Sequence, residues 1–87
     1  MKYAAIIEYI HDQDRVQAVL PSHREYLAGL RGQGKLVASG PFADGTGALI
    51  IYEADSPDEA EALLLQDPFC REGIFVEWRI RPWNQVL

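Results

Sequence analysis

The sequence predicts an α+β domain whose elements run in the order βαββαβ. Three observations lead there: four short segments with strand-like apolar patterning, two longer segments with apolar residues three and four apart, and capping or turn residues at the joins. With 87 residues the chain has room for one domain, residues 1–87.

Lys2 to Ile10 is rich in Ala, Ile and Tyr and reads as the first strand. From about Asp14 to Gly32, Val16, Val19, Leu20, Tyr26, Leu27 and Leu30 recur at helical spacing. Pro21 lacks a backbone donor, so the segment is expected to kink there or to divide into a short helix and a longer one from Ser22. Gly34 is the C-terminal stop. Lys35 to Ala43 is the second strand, and Asp44-Gly45 turns the chain tightly into the third, Gly47 to Glu53. Gly40 and Pro41 put the second strand at a sheet edge, because proline cannot serve a ladder on both sides.

Ser56-Pro57-Asp58-Glu59 starts the second helix: a Ser cap, Pro at the first helical position and Glu at the third. That helix turns Ala60, Leu63 and Leu64 inward and ends near Asp67-Pro68. In the last strand, Ile74 to Pro82, the residues Ile74, Val76, Trp78 and Ile80 alternate with Phe75, Glu77, Arg79 and Arg81.

Connection rules favour the ferredoxin-like split βαβ: four antiparallel strands in the order 4-1-3-2 with both helices on one face. Both faces of the first strand are largely apolar, and two helices cover only one of them. The uncovered face calls for a second sheet from an identical chain, a twofold homodimer. Size argues the same way. A monomer this small buries only about 60 to 65% of its unfolded surface, and Cys70, the one cysteine, allows no internal disulfide.

Composition removes several classes of function. A net charge of −5, with 8 basic and 13 acidic residues and no basic cluster, argues against nucleic acid. The longest apolar run, Ala48 to Tyr52, is far short of the ~20 residues that span a bilayer. Glu8 inside the first apolar stretch argues against a secretory signal, and a lone thiol suits the cytoplasm. With His11, His23 and Cys70 there is no zinc motif, and no metal or cofactor is expected. Cys70 reads as a packed apolar group, and His11 as a loop residue.

Two side chains stand out. His23 shares the apolar row of the first helix with Leu20, Leu27 and Leu30, so it points at the sheet. It is either a structural histidine or a general acid or base, imidazole being the side chain that exchanges protons near neutrality. Asp67 follows Leu64 by three residues on the inward row of the second helix, where a carboxylate needs a partner. Equally, Asp before Pro caps a following turn through Phe69 and Cys70. Two inward polar groups on helices that share one sheet face suggest a His-Asp pair, with the carboxylate fixing the imidazole. Ser39, Gly40 and Pro41 mark either an edge distortion or a place where a ligand meets the backbone. Arg79 and Arg81 belong to a solvated strand face or meet an anionic substrate, and Glu8 is a potential partner of Arg79.

The sequence resembles the YCII (YciI-like) family over essentially its whole length. The pieces that match are His23-Arg24-Glu25-Tyr26-Leu27 with Leu30, Gly34-Lys35-Leu36 leading to Ser39-Gly40-Pro41, Asp67-Pro68-Phe69 with Gly73, and Arg81-Pro82-Trp83. The resemblance implies a dimeric α/β-barrel of ferredoxin-like subunits. It also implies an active site built on His23 and Asp67, with Ser39 and the Gly40-Pro41 backbone nearby, and hydrolase- or dehydrochlorinase-like action on ring compounds. The leading expectation is a cytoplasmic, cofactor-independent acid-base enzyme acting on a small molecule in a pocket lined by Tyr, Phe and Trp. The alternative is a non-enzymatic binding or accessory module. A haem-handling barrel would have only His11 and His23 for axial ligation.

Overall fold

A computed structural model describes all residues, Met1–Leu87. The elements are β1 (Lys2–Tyr9), α1 (Gln13–Gly32), β2 (Leu36–Pro41), β3 (Gly47–Glu53), α2 (Pro57–Leu65), α3 (Pro68–Arg71) and β4 (Phe75–Trp83). The strands form one antiparallel sheet in the order β2-β3-β1-β4, the ferredoxin-like arrangement that the sequence predicts. β2 is an edge strand, as its Gly-Pro pair requires.

The register decides which side chains meet the helices. Ala5 pairs with Ile50 and Ile80, and Ile7 with Ala48 and Trp78. Alternation then puts Ala5, Ile7 and Tyr9 of β1 and Ala48, Ile50 and Tyr52 of β3 in one buried core with Val16, Leu27 and Leu30 of α1. Leu63, Leu64, Phe69, Ile74 and Phe75 complete it. Each Val, Leu, Ile and Phe side chain among them contributes roughly 1.5–3 kcal/mol by leaving water. On the opposite face Ala4 pairs with Ile51 and Ile6 with Leu49, and Ile6 and Leu49 are 41% and 38% exposed.

Four expectations are corrected and a fifth is narrowed. Of the two outcomes expected at Pro21, a kink or a division, the division does not occur: α1 is a single 20-residue helix with Pro21 inside it. Pro21 lies on the exposed side, where water can take the carbonyl that its missing N–H leaves free. The second strand runs only from Leu36 to Pro41, because Phe42 to Thr46 form the turn: Phe42 N–H donates to Gly47 O and Gly45 N–H to Phe42 O. Asp44 accepts from the Thr46 N–H and hydroxyl, which hold its carboxyl below the usual range.

The second helix stops at Leu65, and Asp67 opens a separate short helix instead of ending α2. In β4 the alternation breaks: Glu8 pairs with Glu77 but Tyr9 with Phe75, so Val76 is the extra residue of a bulge. Phe75 is buried in consequence and Val76 is exposed, so the strict alternation expected from Ile74 to Pro82 does not hold across the bulge. Finally, Glu8 sits opposite Glu77 and not Arg79, whose Cα partner is Ile6. A hydrogen bond with Glu77, together with its like charge, raises the Glu8 carboxyl above its ordinary range.

Candidate functional site

α1 presents His23 to the core, where it is 6% exposed, and α3 brings Asp67 to it, fully buried. His23 Nδ1 lies 2.7 Å from Asp67 Oδ1 and 2.9 Å from Oδ2. An ionised carboxylate only accepts hydrogen bonds, so Nδ1 carries the hydrogen and Nε2 is left for other partners. The sequence leaves Asp67 open between pairing and capping, and it does both. Its Oδ1 also accepts from Phe69 N–H at 2.9 Å, as N-cap of α3.

The Asp-Pro-Phe order explains the local shape. Pro68 supplies a preset first helical residue, and Phe69 then stacks flat on the imidazole, with centroids 3.9 Å apart and planes 6° apart. Phe75 meets the ring edge-on. The imidazole is thereby held by one charge-assisted bond and two aromatic walls.

In front of this pair lies a cleft of about 500 Å³ between α1 and the edge of β2. His23, Phe69 and Tyr9 line its inner part, and Ser39, Gly40 and Pro41 line the opposite side. All five predicted site residues therefore gather around one space, with Asp67 behind His23. Ser39 pairs with the inward-facing Ile50, which turns it to the helix side of the sheet. A Cβ on Gly40 would meet nothing within 4 Å, so packing does not demand glycine there. The irregularity in β2 falls at Leu36/Ala38, before Gly40. No tryptophan lines the cleft: its aromatic residues are Tyr9, Phe42 and Phe69.

Sequence reasoning missed Gln13, Gln17 and Arg24, which line the outer cleft from α1. Their four- and seven-residue spacing, next to the His23 row, is the signal that was available. Arg79 and Arg81 pair with Ile6 and Ala4 on the open sheet face, away from the cleft. No group of three or more His, Cys, Asp or Glu side chains comes together to hold a metal ion.

Several hydroxyls and a thiol feel the buried Asp67 charge. Burial first, and then Asp67, push Tyr9 and Tyr26 up to about 12. Both are neutral donors near neutral pH, and Tyr26 donates to Leu63 O at 2.6 Å. The same two causes raise the Cys70 thiol, which packs against the core and is kept protonated. Burial and Asp67 raise Tyr52 as well, yet its hydroxyl has no partner. An unmatched buried hydroxyl costs about 1–3 kcal/mol, so Tyr52→Phe is expected to stabilise the fold by about 1 kcal/mol. An increase in the urea midpoint at constant m-value would show this, and a decrease of similar size would mean that the hydroxyl is satisfied.

Fold and site together define a class: a small ferredoxin-like α+β protein with a buried His-Asp pair at the base of a cleft. The chain belongs to the YCII-related family, whose domain matches residues 1–84. It is 33% identical over 69 residues to the uncharacterized protein YjpA of Bacillus subtilis, covering 75% of this chain and 81% of YjpA. Protein YciI of Escherichia coli is 27% identical over 94 residues, covering 90% and 96%. Among solved structures, 5-chloro-2-hydroxyhydroquinone dehydrochlorinase (TftG) from Burkholderia phenoliruptrix, in complex with 2,5-dihydroxybenzoquinone, superposes with a TM-score of 0.85. That likeness covers 99% of this chain and 96% of TftG at 24% identity, and it establishes a shared fold. No helix is long and apolar enough to cross a membrane.

Proposed function

We propose that this protein is a small cytoplasmic enzyme that moves protons on a ring-bearing small molecule, with His23 as the acid-base group and Asp67 as its orienting carboxylate. The observation that carries the reading is the 2.7 Å bond between Nδ1 of a cleft-lining histidine and a fully buried carboxylate. Asp67 holds the imidazole in one tautomer and stabilises the cation formed when Nε2 takes a proton. Ser39 and the Gly40-Pro41 backbone flank the substrate across the cleft.

In a lyase-like step of the dehydrochlorinase kind, Nε2 removes a proton from a ring hydroxyl. The freed electron pair moves into the ring as the chlorine-bearing carbon takes up a proton, giving the keto form with a tetrahedral CHCl centre. Loss of the proton of a second ring hydroxyl then drives chloride out of that centre, so the net products are a quinone and HCl and the proton passes from His23 to water. In a hydrolase-like step Nε2 takes its proton from the attacking water instead.

Chloride release from 5-chloro-2-hydroxyhydroquinone tests this. Turnover above buffer is expected from the wild type, falling about 10²–10⁴-fold in His23→Ala and substantially in Asp67→Asn. Turnover that survives both substitutions in folded protein overturns the acid-base role. Saturable binding without turnover would favour a binding module, a reading that the capping duty of Asp67 supports.

The open sheet face supports a homodimer, with Ile6 and Leu49 exposed beside Ala4 and Ile51. Sedimentation should give the mass of two chains for wild type and of one chain for Ile6→Glu. A wild-type protein that sediments as one chain at micromolar concentration refutes this assembly.

A further inference from the structure

We propose that Arg24 is the counter-ion for an oxyanion on the molecule that enters the His23 cleft, which makes the ligand class a planar ring carrying a carboxylate or phenolate. This deepens the acid-base reading and rests on it for the identity of the site. The chain carries 13 acidic residues against 8 basic, yet no Asp or Glu lines the cleft. Arg24 is the one permanently cationic side chain there, and the polar side chains Gln13, Gln17, Ser39 and the Tyr9 hydroxyl are neutral.

Arg24 is also unused. The ion pairs of the chain join the N-terminus and Lys2 to Glu53 and His23 to Asp67, and the Arg24 guanidinium makes no hydrogen bond. A guanidinium presents a planar fork that matches two oxygens of a carboxylate, or a phenolate with a neighbouring hydroxyl. The Asp67 charge behind His23 disfavours a second anion at the back of the cleft. The oxyanion therefore belongs at the rim with Arg24, and the proton-bearing part of the ring faces His23, between Tyr9 and Phe69.

The test is an NMR shift titration of folded protein with near-isosteric probes, 2,5-dihydroxybenzoate and 2,5-dihydroxybenzamide, and with 4-nitrophenol on either side of its ionisation. Wild type is expected to bind the benzoate about tenfold more tightly than the amide, since the amide offers Arg24 one acceptor oxygen and no charge and so forfeits the second bond of a bidentate pair and the attraction between opposite charges. Arg24→Gln should abolish the preference, Arg24→Lys should keep part of it, and added salt should narrow it. A stronger response to nitrophenolate than to nitrophenol would assign the phenolate arm, and a preference confined to the benzoate would assign the carboxylate arm.

Equal wild-type affinity for charged and neutral probes, an undiminished preference in Arg24→Gln, or no saturable binding of any probe overturns the proposal. His23→Ala separates the two readings. If it loses turnover but keeps the anion preference, both stand. Turnover that survives in His23→Ala with the preference intact removes only the acid-base role, and a preference absent from wild type with turnover still dependent on His23 removes only Arg24.

Discussion

Asp67→Ala is expected to lose about 3 kcal/mol or more of folding free energy, and Asp67→Asn only about 1 kcal/mol. The alanine removes two hydrogen-bonded functions at once. It leaves the Phe69 N–H uncapped and the Nδ1–H of a 6%-exposed histidine without an acceptor. A lost N-cap costs about 1 kcal/mol and a buried orphan donor about 1–3 kcal/mol. Asparagine keeps one oxygen in the Oδ1 position, which serves both donors, and Asn caps helices as well as Asp does. What it loses is the charge. Urea unfolding of the two variants at matched m-values measures the difference, and for a domain of this size 3 kcal/mol lowers Tm by roughly 12–24 °C. Equal losses in both variants would mean that the charge, and not the acceptor geometry, holds His23. The comparison also matters for function, because Asp67→Asn is the variant in which a fall in turnover is least confused with unfolding.

The elements that sequence alone made legible are those whose causes are local. Ser56 caps α2 through a bond to Glu59 N–H, and Pro57 follows it, as that tetrapeptide predicts. His23 faces the core because three- and four-residue spacing on a helix is a local geometric fact. Asp67 was half legible. Either of its roles can be read from neighbouring residues, but that one oxygen performs both depends on α1 and α3 meeting, 44 positions apart in sequence.

Features set by long-range pairing were not legible. The bulge that exposes Val76 is a mismatch between β1 and β4, and neither strand announces it alone. The same mismatch puts Glu8 opposite Glu77. Pro21 left two outcomes open for a related reason, since a proline is tolerated inside a continuous helix when its side of the helix faces water, and exposure is a property of the whole molecule. Gln13, Gln17 and Arg24 became interesting only once β2 supplied the far wall of a cleft.

Gly47→Ala is expected to cost more than about 3 kcal/mol, the upper part of the range for overpacking, because what it strikes cannot move aside cheaply. A Cβ there would lie 1.9 Å from the Ile7 carbonyl oxygen and 2.9 Å from its carbon, both backbone atoms of the central strand β1. Relief therefore requires β1 and β3 to separate at this end. The displacement would also reach the cleft. Gly47 O accepts the Phe42 N–H, and Thr46 O accepts the Tyr9 N–H, so the turn that carries Phe42, Ala43 and Gly45 along the cleft hangs from the same strand end. Gly29→Ala is the control: the new methyl would meet nothing within 4 Å, and in the interior of α1 alanine is favoured over glycine by about 0.8–1 kcal/mol. Urea unfolding should move in opposite directions for the two substitutions, and amide shifts in Gly47→Ala should change at Ser39, Phe42 and His23 as well as along β1. A Gly47→Ala protein within about 1 kcal/mol of wild type would mean that β1 and β3 are spaced more widely than the register requires. In that event the link between strand packing and the shape of the cleft would fail with it.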